Sequence, residues 1–172
     1  MVGMGTGRGR VVEVRLGCSV RVFTGGEYPD IVVAILNQAA HTIDVFQYAW
    51  IWYRHSSRRR VHKISLAACA AARRGVKMRV LLNREAERHY LTKKNTETAT
   101  ELGRAGAQVK LGMAGVADHA KFWIVDKKLL IVSSHNLSTR SCTSNSELGV
   151  VIEGELVARD AVGYFEKLWG RT

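Results

Sequence analysis

Short β-rich runs alternate with longer helical ones almost from end to end of this chain, and that alternation confines it to a layered α/β fold. Val20 to Phe23, Thr42 to Tyr48, Val76 to Leu82, Gln108 to Leu111, Ala120 to Val125, Leu129 to Ser133 and Leu148 to Ile152 read as strands. Pro29 to Ala40, Ile64 to Arg74, Thr92 to Arg104 and Glu155 to Trp169 read as helices. Pro29 suits a first helical turn, while Gly75 and Gly106 fall just past helix ends. Val11 to Val14 reads as a further short strand, and the glycine-rich residues 1–10 as a loose tail. The tail's GMGTGRG is no dinucleotide loop, because no strand precedes it and Arg8 stands where the third glycine belongs. With one proline in the chain, and no repeat or low-complexity block, the expectation is a single domain over residues 11–172.

Charge narrows the partners. Lysine and arginine exceed the acids by enough to give a formal net charge of +11 in 172 residues, so the chain attracts polyanions, nucleic acid foremost. The basic run RHSSRRRVHK offers Arg54, Arg58, Arg59, Arg60 and Lys63 as phosphate contacts, with a merely solvated loop as the plain alternative. No apolar run approaches the length of a bilayer span, so stable membrane insertion is not expected. The basic N-terminus lacks an apolar signal core, and Cys18, Cys69 and Cys142 are scattered, which together predict a reduced, cytoplasmic protein. Cys69, in an Ala-rich helix, reads as a core residue. Neither the cysteines nor the acids show metal-ligand spacing, so no metal or other cofactor is called for.

The stretch HAKFWIVDKKLLIVSSHNLS, residues 119–138, carries the chemistry. His119 and Lys121 are two residues apart and share a face if the segment is extended. An imidazole can attack phosphorus while a neighbouring ammonium and amide offset the charge on the nonbridging oxygens. The following strand returns Ser134 and Asn136 towards the same place. Trp123 shares the parity of His119 and Lys121 and is expected to line the base of the site. Trp50, Trp52 and Tyr53, at a strand end, read as core packing ahead of base stacking.

His119, Lys121, Asp126, Ser134 and Asn136 resemble the HKD signature of the phospholipase D superfamily, and the likeness is greatest to its small single-motif nucleases. It extends from about Val20 to the C-terminus, with Ser133 standing where the family usually has glycine. The resemblance implies an α/β/α sandwich around a mixed sheet, and a two-step reaction through a phosphohistidine on His119. It further implies that Lys121 and Asn136 bind the nonbridging oxygens, that Glu147 holds the other nitrogen of His119, and that Ser134 assists. Asp126 is expected as a structural or charge-balancing partner. That mechanism needs two histidines, whereas His41, His55, His62, His89 and His135 all lack a lysine two residues on, so a twofold homodimer is expected. The reading is a metal-independent endonuclease of DNA or RNA. A phospholipid phosphodiesterase and a catalytically silent nucleic-acid-binding module are the alternatives.

Overall fold

Apolar side chains point both ways from the central strands, so these strands must be covered on both faces. Ile43 and Val45 in one strand face one way and Phe46 the other, and all are fully buried. The computed structural model describes residues 17–53, 60–86, 89–116 and 118–172. In chain order the elements are β1 (Ser19–Thr24), α1 (Tyr28–Gln38), β2 (Thr42–Gln47), α2 (Arg60–Arg73), β3 (Lys77–Leu82) and α3 (Tyr90–Arg104). There follow β4 (Gln108–Leu111), β5 (Lys121–Val125), β6 (Leu129–Ser133), β7 (Leu148–Glu153) and α4 (Glu155–Trp169). The segments expected as tail and first strand, residues 1–10 and Val11 to Val14, lie outside the described residues.

One seven-stranded sheet runs in the order β1-β7-β6-β5-β2-β3-β4. It is mixed: β2, β3 and β4 are parallel, and every other neighbouring pair is antiparallel. Strand parity divides the core in two. Val45, Val80, Trp123 and Ile131 face the layer holding α1, α2 and α3, while Phe46, Leu81, Phe122 and Leu130 face α4. The layered α/β/α sandwich expected from the sequence is therefore the fold.

Element boundaries moved where packing overrode local composition. Helix α2 starts at Arg60, ahead of the expected Ile64, because Val61, Ile64, Ser65 and Ala68 form one continuous buried stripe. Helix α3 starts before Thr92 because the His89 Nδ1 accepts from the Leu91 amide at 3.2 Å and caps it. Gly75 and Gly106 follow α2 and α3 with φ of 91° and 103°, the left-handed conformation that ends a helix cheaply only for glycine. Pro29 sits within the first turn of α1, as predicted.

Two features place the strand ends that matter. Asp126 and Lys127, at φ of 51° and 54°, turn β5 tightly into β6. Gly149 in β7 leaves room for a ring: a Cβ there would come within 2.3 Å of Phe23. Ser133, which stands beside that glycine, accepts the His135 amide on its Oγ at 3.3 Å and starts the turn leading to Asn136.

Candidate active site

His119 and Lys121 meet just outside and just inside the start of β5. The strand begins at Lys121 and not at the expected Ala120, so His119 lies on an extended lead-in and is exposed, while Lys121 is only 5% exposed. The parity prediction holds in the geometry that counts. The Lys121 Nζ is 3.1 Å from the His119 Nδ1 and donates to the His119 carbonyl at 2.6 Å. Burial pushes the Lys121 ammonium down to about 8, a drop that the charge of Glu147 opposes.

The loop after β6 brings the next candidates. Leu137 pairs with Trp50 in an isolated bridge: its amide donates to Ala49 at 2.8 Å, and its carbonyl accepts from Ile51 at 2.9 Å. That holds Asn136 beside the end of β2, the strand whose Gln47 pairs with Lys121. The Asn136 Oδ1 is buried without a hydrogen-bond partner among the described residues. Ser134 donates to Glu147 in a very short hydrogen bond, and its amide donates to the Leu148 carbonyl at 3.0 Å, which joins the loop to β7.

Glu147 accepts from the Ser134 hydroxyl and, at 3.2 Å, from the Asn145 side-chain amide, and not, among the described residues, from the His119 ring that the resemblance gave it as partner. Burial pushes its carboxyl up, but hydrogen bonds from Ser134, Asn145 and Ser141 outweigh that and hold it below the ordinary carboxylate range. An open cleft of about 540 Å³ borders this side, lined by Thr24, Gly25, Ser134, Asn145 and Glu147 among others. A larger depression of about 660 Å³ lies at the other end of β2 and β3, between Asp44, Lys77, Arg79 and Glu166. There Arg79 is already paired with both acids, and none of the expected catalytic side chains is present.

Several expected residues are elsewhere. Asp126 sits at the far end of β5, where its carboxylate accepts from the amides of Ala40, His41 and Thr42 at 2.9, 2.7 and 2.8 Å. Trp123 faces the same layer as Lys121 but is 1% exposed, donating to the Tyr28 hydroxyl at 2.9 Å and packing on Trp50. It belongs to the core below the site, so the expectation that it lines the site is corrected. Trp50 is also core, its indole NH donating to Ser65 at 2.9 Å, and Trp52 and Tyr53 pack against the same cluster. Arg54, Arg58 and Arg59 lie outside the described residues. Arg60 opens α2 and pairs with Asp30, while Lys63 is exposed on the same helix. Cys69 is buried as expected, and burial raises its thiol.

The residues that sequence reasoning missed stand on neighbouring strand ends and on α3. Tyr48 packs its ring 4.6 Å from the His119 imidazole, and its hydroxyl donates to Glu85 at 3.1 Å. Asn83 donates to the same Glu85 oxygen at 3.0 Å and accepts from the Asp118 amide at 3.2 Å. Asn95, fully buried in α3, donates to the carbonyls of Tyr48 and Asn83 at 2.9 and 2.8 Å, and accepts from the Trp50 amide. A tyrosine at the carboxyl end of a strand in an α/β sheet was the available signal, since ligand sites gather there.

An exposed imidazole beside a buried ammonium, with an amide and a hydroxyl–carboxylate pair on the adjoining loop, forms a set of groups for phosphodiester chemistry. The chain belongs to the phospholipase D-like family: the family described as cardiolipin synthase, PLD-like domain, matches residues 32–169. Its fold is similar to that of Nuc, a phospholipase D family member from Salmonella typhimurium, with a TM-score of 0.75 at 21% identity over 90% of this chain and 96% of that one. In sequence, the chain is 33% identical over 96 residues to the mitochondrial cardiolipin hydrolase of Canis lupus familiaris, covering 56% of this chain and 36% of that protein. It is 35% identical over 107 residues to the 5'-3' exonuclease PLD3 of Rattus norvegicus, covering 58% of this chain and 20% of that protein. The chain thus spans about a third of the first relative's length and a fifth of the second's. No helix among the described residues is long and apolar enough to cross a membrane.

Proposed function

We propose that this chain is a metal-independent nuclease in which His119 forms a phosphohistidine and a second copy of the chain supplies the other histidine. The observation that carries the reading is the Lys121 ammonium, buried and within 3.1 Å of the His119 ring, a placement that costs stability and serves an anion. The Nε2 of His119 attacks phosphorus, and the scissile P–O bond breaks as the second copy's His119 gives its proton to the leaving oxygen. That imidazole then takes a proton from water, the water oxygen attacks phosphorus, and the P–N bond breaks to free a phosphate monoester. The Lys121 Nζ lies 3.1 Å from the Nδ1 of His119, which leaves Nε2, on the other side of the ring, as the atom to attack. Asn136 joins Lys121 on the nonbridging oxygens, with Ser134 and Glu147 at their flank.

The need for a second copy follows from the single H-x-K pair in the chain. The surface supports it. On the face covered by α4, Val20, Val22, Val132 and Leu148 remain 58%, 59%, 42% and 58% exposed. Register puts Val22, Val150 and Val132 in one row, and Leu148 adjoins Glu147. A twofold contact over this apolar strip buries it next to the half-site.

The +11 charge favours nucleic acid as the substrate class, and the similarity to a 5'-3' exonuclease points the same way. A lipid phosphodiester is the second reading, favoured by the similarity to a cardiolipin hydrolase. Labelled single-stranded and duplex DNA and RNA, and cardiolipin vesicles, are incubated with wild type and His119→Ala in excess EDTA. Polymer cleavage by wild type alone is expected; hydrolysis of cardiolipin alone would transfer the reading to lipid. Sedimentation of the active species as a monomer would remove the second copy.

A further inference from the structure

We infer that Tyr48 is the positioning residue of this site, one ring fixing both members of the reacting pair. The inference rests on the reading of His119 and Lys121 as that pair. The ring centroid of Tyr48 lies 4.6 Å from the His119 imidazole, tilted by 56°, and 5.0 Å from the Lys121 Nζ. An ammonium over an aromatic face is attracted by the ring's quadrupole, and the attraction grows as water is excluded. Lys121 is almost wholly buried, so here the ring stands in for part of the hydration shell that the ammonium has lost.

Tyr48 is itself held at two points. Its hydroxyl donates to Glu85, which also takes the Asn83 amide. Its backbone carbonyl accepts from the buried Asn95, which ties the ends of β2 and β3 together. Asn83 in turn accepts from the Asp118 amide, and the Asp118 side chain pairs with Arg171 at 3.0 Å, so the residue before His119 is fixed by the same network. His119 lies outside β5, with no strand hydrogen bond among the described residues to set its direction; Tyr48 and the Asp118 anchor supply that restraint. The ionisable groups around Lys121 that bear on its charge are His119, Tyr48 and, at longer range, Glu147, with Glu85 behind the tyrosine hydroxyl.

Two substitutions separate the parts. Tyr48→Leu keeps apolar bulk but removes the aromatic face; Tyr48→Phe keeps the face and removes the bond to Glu85. The readout is the titration of Lys121, followed through its labelled side-chain carbon by NMR, alongside kcat and KM. Tyr48→Leu is expected to move the Lys121 titration down by roughly half to one pH unit. It is also expected to lower kcat about tenfold or more, with a smaller change in KM. Tyr48→Phe is expected to leave the Lys121 titration in place and cost only a few-fold in kcat. An unmoved or raised Lys121 titration in Tyr48→Leu overturns the inference, as does a Phe variant no better than Leu. The titration needs no turnover, so it stands or falls apart from the nuclease reading: a wild type that cleaves no phosphodiester refutes that reading even if the Lys121 shift is found.

Discussion

The two ends of β5 carry the two charged residues of one sequence motif, and the fold treats them oppositely. At one end Lys121 is buried against the rings of His119 and Tyr48, and burial pushes it down to about 8 against the opposing charge of Glu147. At the other end Asp126 has three backbone amides on its carboxylate. Burial pushes the Asp126 carboxyl up, but the amides of Ala40, Thr42 and His41 more than reverse this and hold it below the ordinary range. A five-residue strand therefore separates a charge that we propose serves chemistry from a charge tied down by backbone amides. Residues adjacent in a motif need not share a job. Asp126 fixes the tight turn of the hairpin and the entry into β2, the strand that delivers Tyr48 to the site.

Substitutions at the two ends test this division, and the reactive end gives the largest effects. His119→Ala should remove turnover by at least about a thousandfold with little change in melting temperature, read by initial rates and thermal unfolding. Lys121→Met should lower kcat by roughly a hundred- to a thousandfold, the cost of losing one charge-stabilising donor. Its effect on stability has a definite sign. Because the folded-state pKa of Lys121 lies below that of an ordinary lysine, the buried ammonium weakens the fold at pH below about 8. Between about 8 and the ordinary lysine range, the folded state sheds its proton first, and wild-type stability recovers. The Met variant should thus melt above wild type at neutral pH, and the gap should close as pH rises.

At the architectural end the effects are smaller and fall on stability. Asp126→Asn should cost about 1–3 kcal/mol, read from denaturant midpoints at constant slope, while turnover per folded molecule changes little. The sign with pH is the reverse of the lysine case. The Asp126 carboxyl sits below its unfolded value, so its contribution is present above the ordinary carboxylate range and is lost as pH falls through the lowered folded value. The difference between wild type and Asn variant should therefore shrink in acid. Trp123→Phe is expected to have the smallest effect, about 1 kcal/mol for the lost bond to Tyr28, with kcat unchanged. A large kcat loss there would return Trp123 to the site.

Much of this was legible in the sequence because strand parity and helix periodicity are local. Ile43, Val45 and Phe46 announce a strand covered on both faces, and two-residue spacing alone predicts that Lys121 meets His119. The beginning of α2 was hidden because Arg60 and Lys63 read as the tail of a charged loop, although Val61 and Ile64 already carried the buried stripe. Trp123 was misplaced for a different reason. Parity gives a face, but depth along the strand decides whether that face meets solvent or core. Tyr48, Asn83, Glu85 and Asn95 could not be grouped from spacing at all. They converge because β2 lies between β3 and β5, an order set by long-range pairing.

The central claim is that His119 bonds covalently to phosphorus at this site. The most direct test incubates the protein with oligonucleotide carrying radioactive phosphorus at each linkage, in EDTA, with quenching into alkaline denaturant during turnover. A labelled protein band that survives alkali, disappears in acid, and is absent in His119→Ala is the predicted result. Sustained cleavage that leaves both proteins unlabelled under rapid quenching would contradict the phosphohistidine and point to direct attack by water.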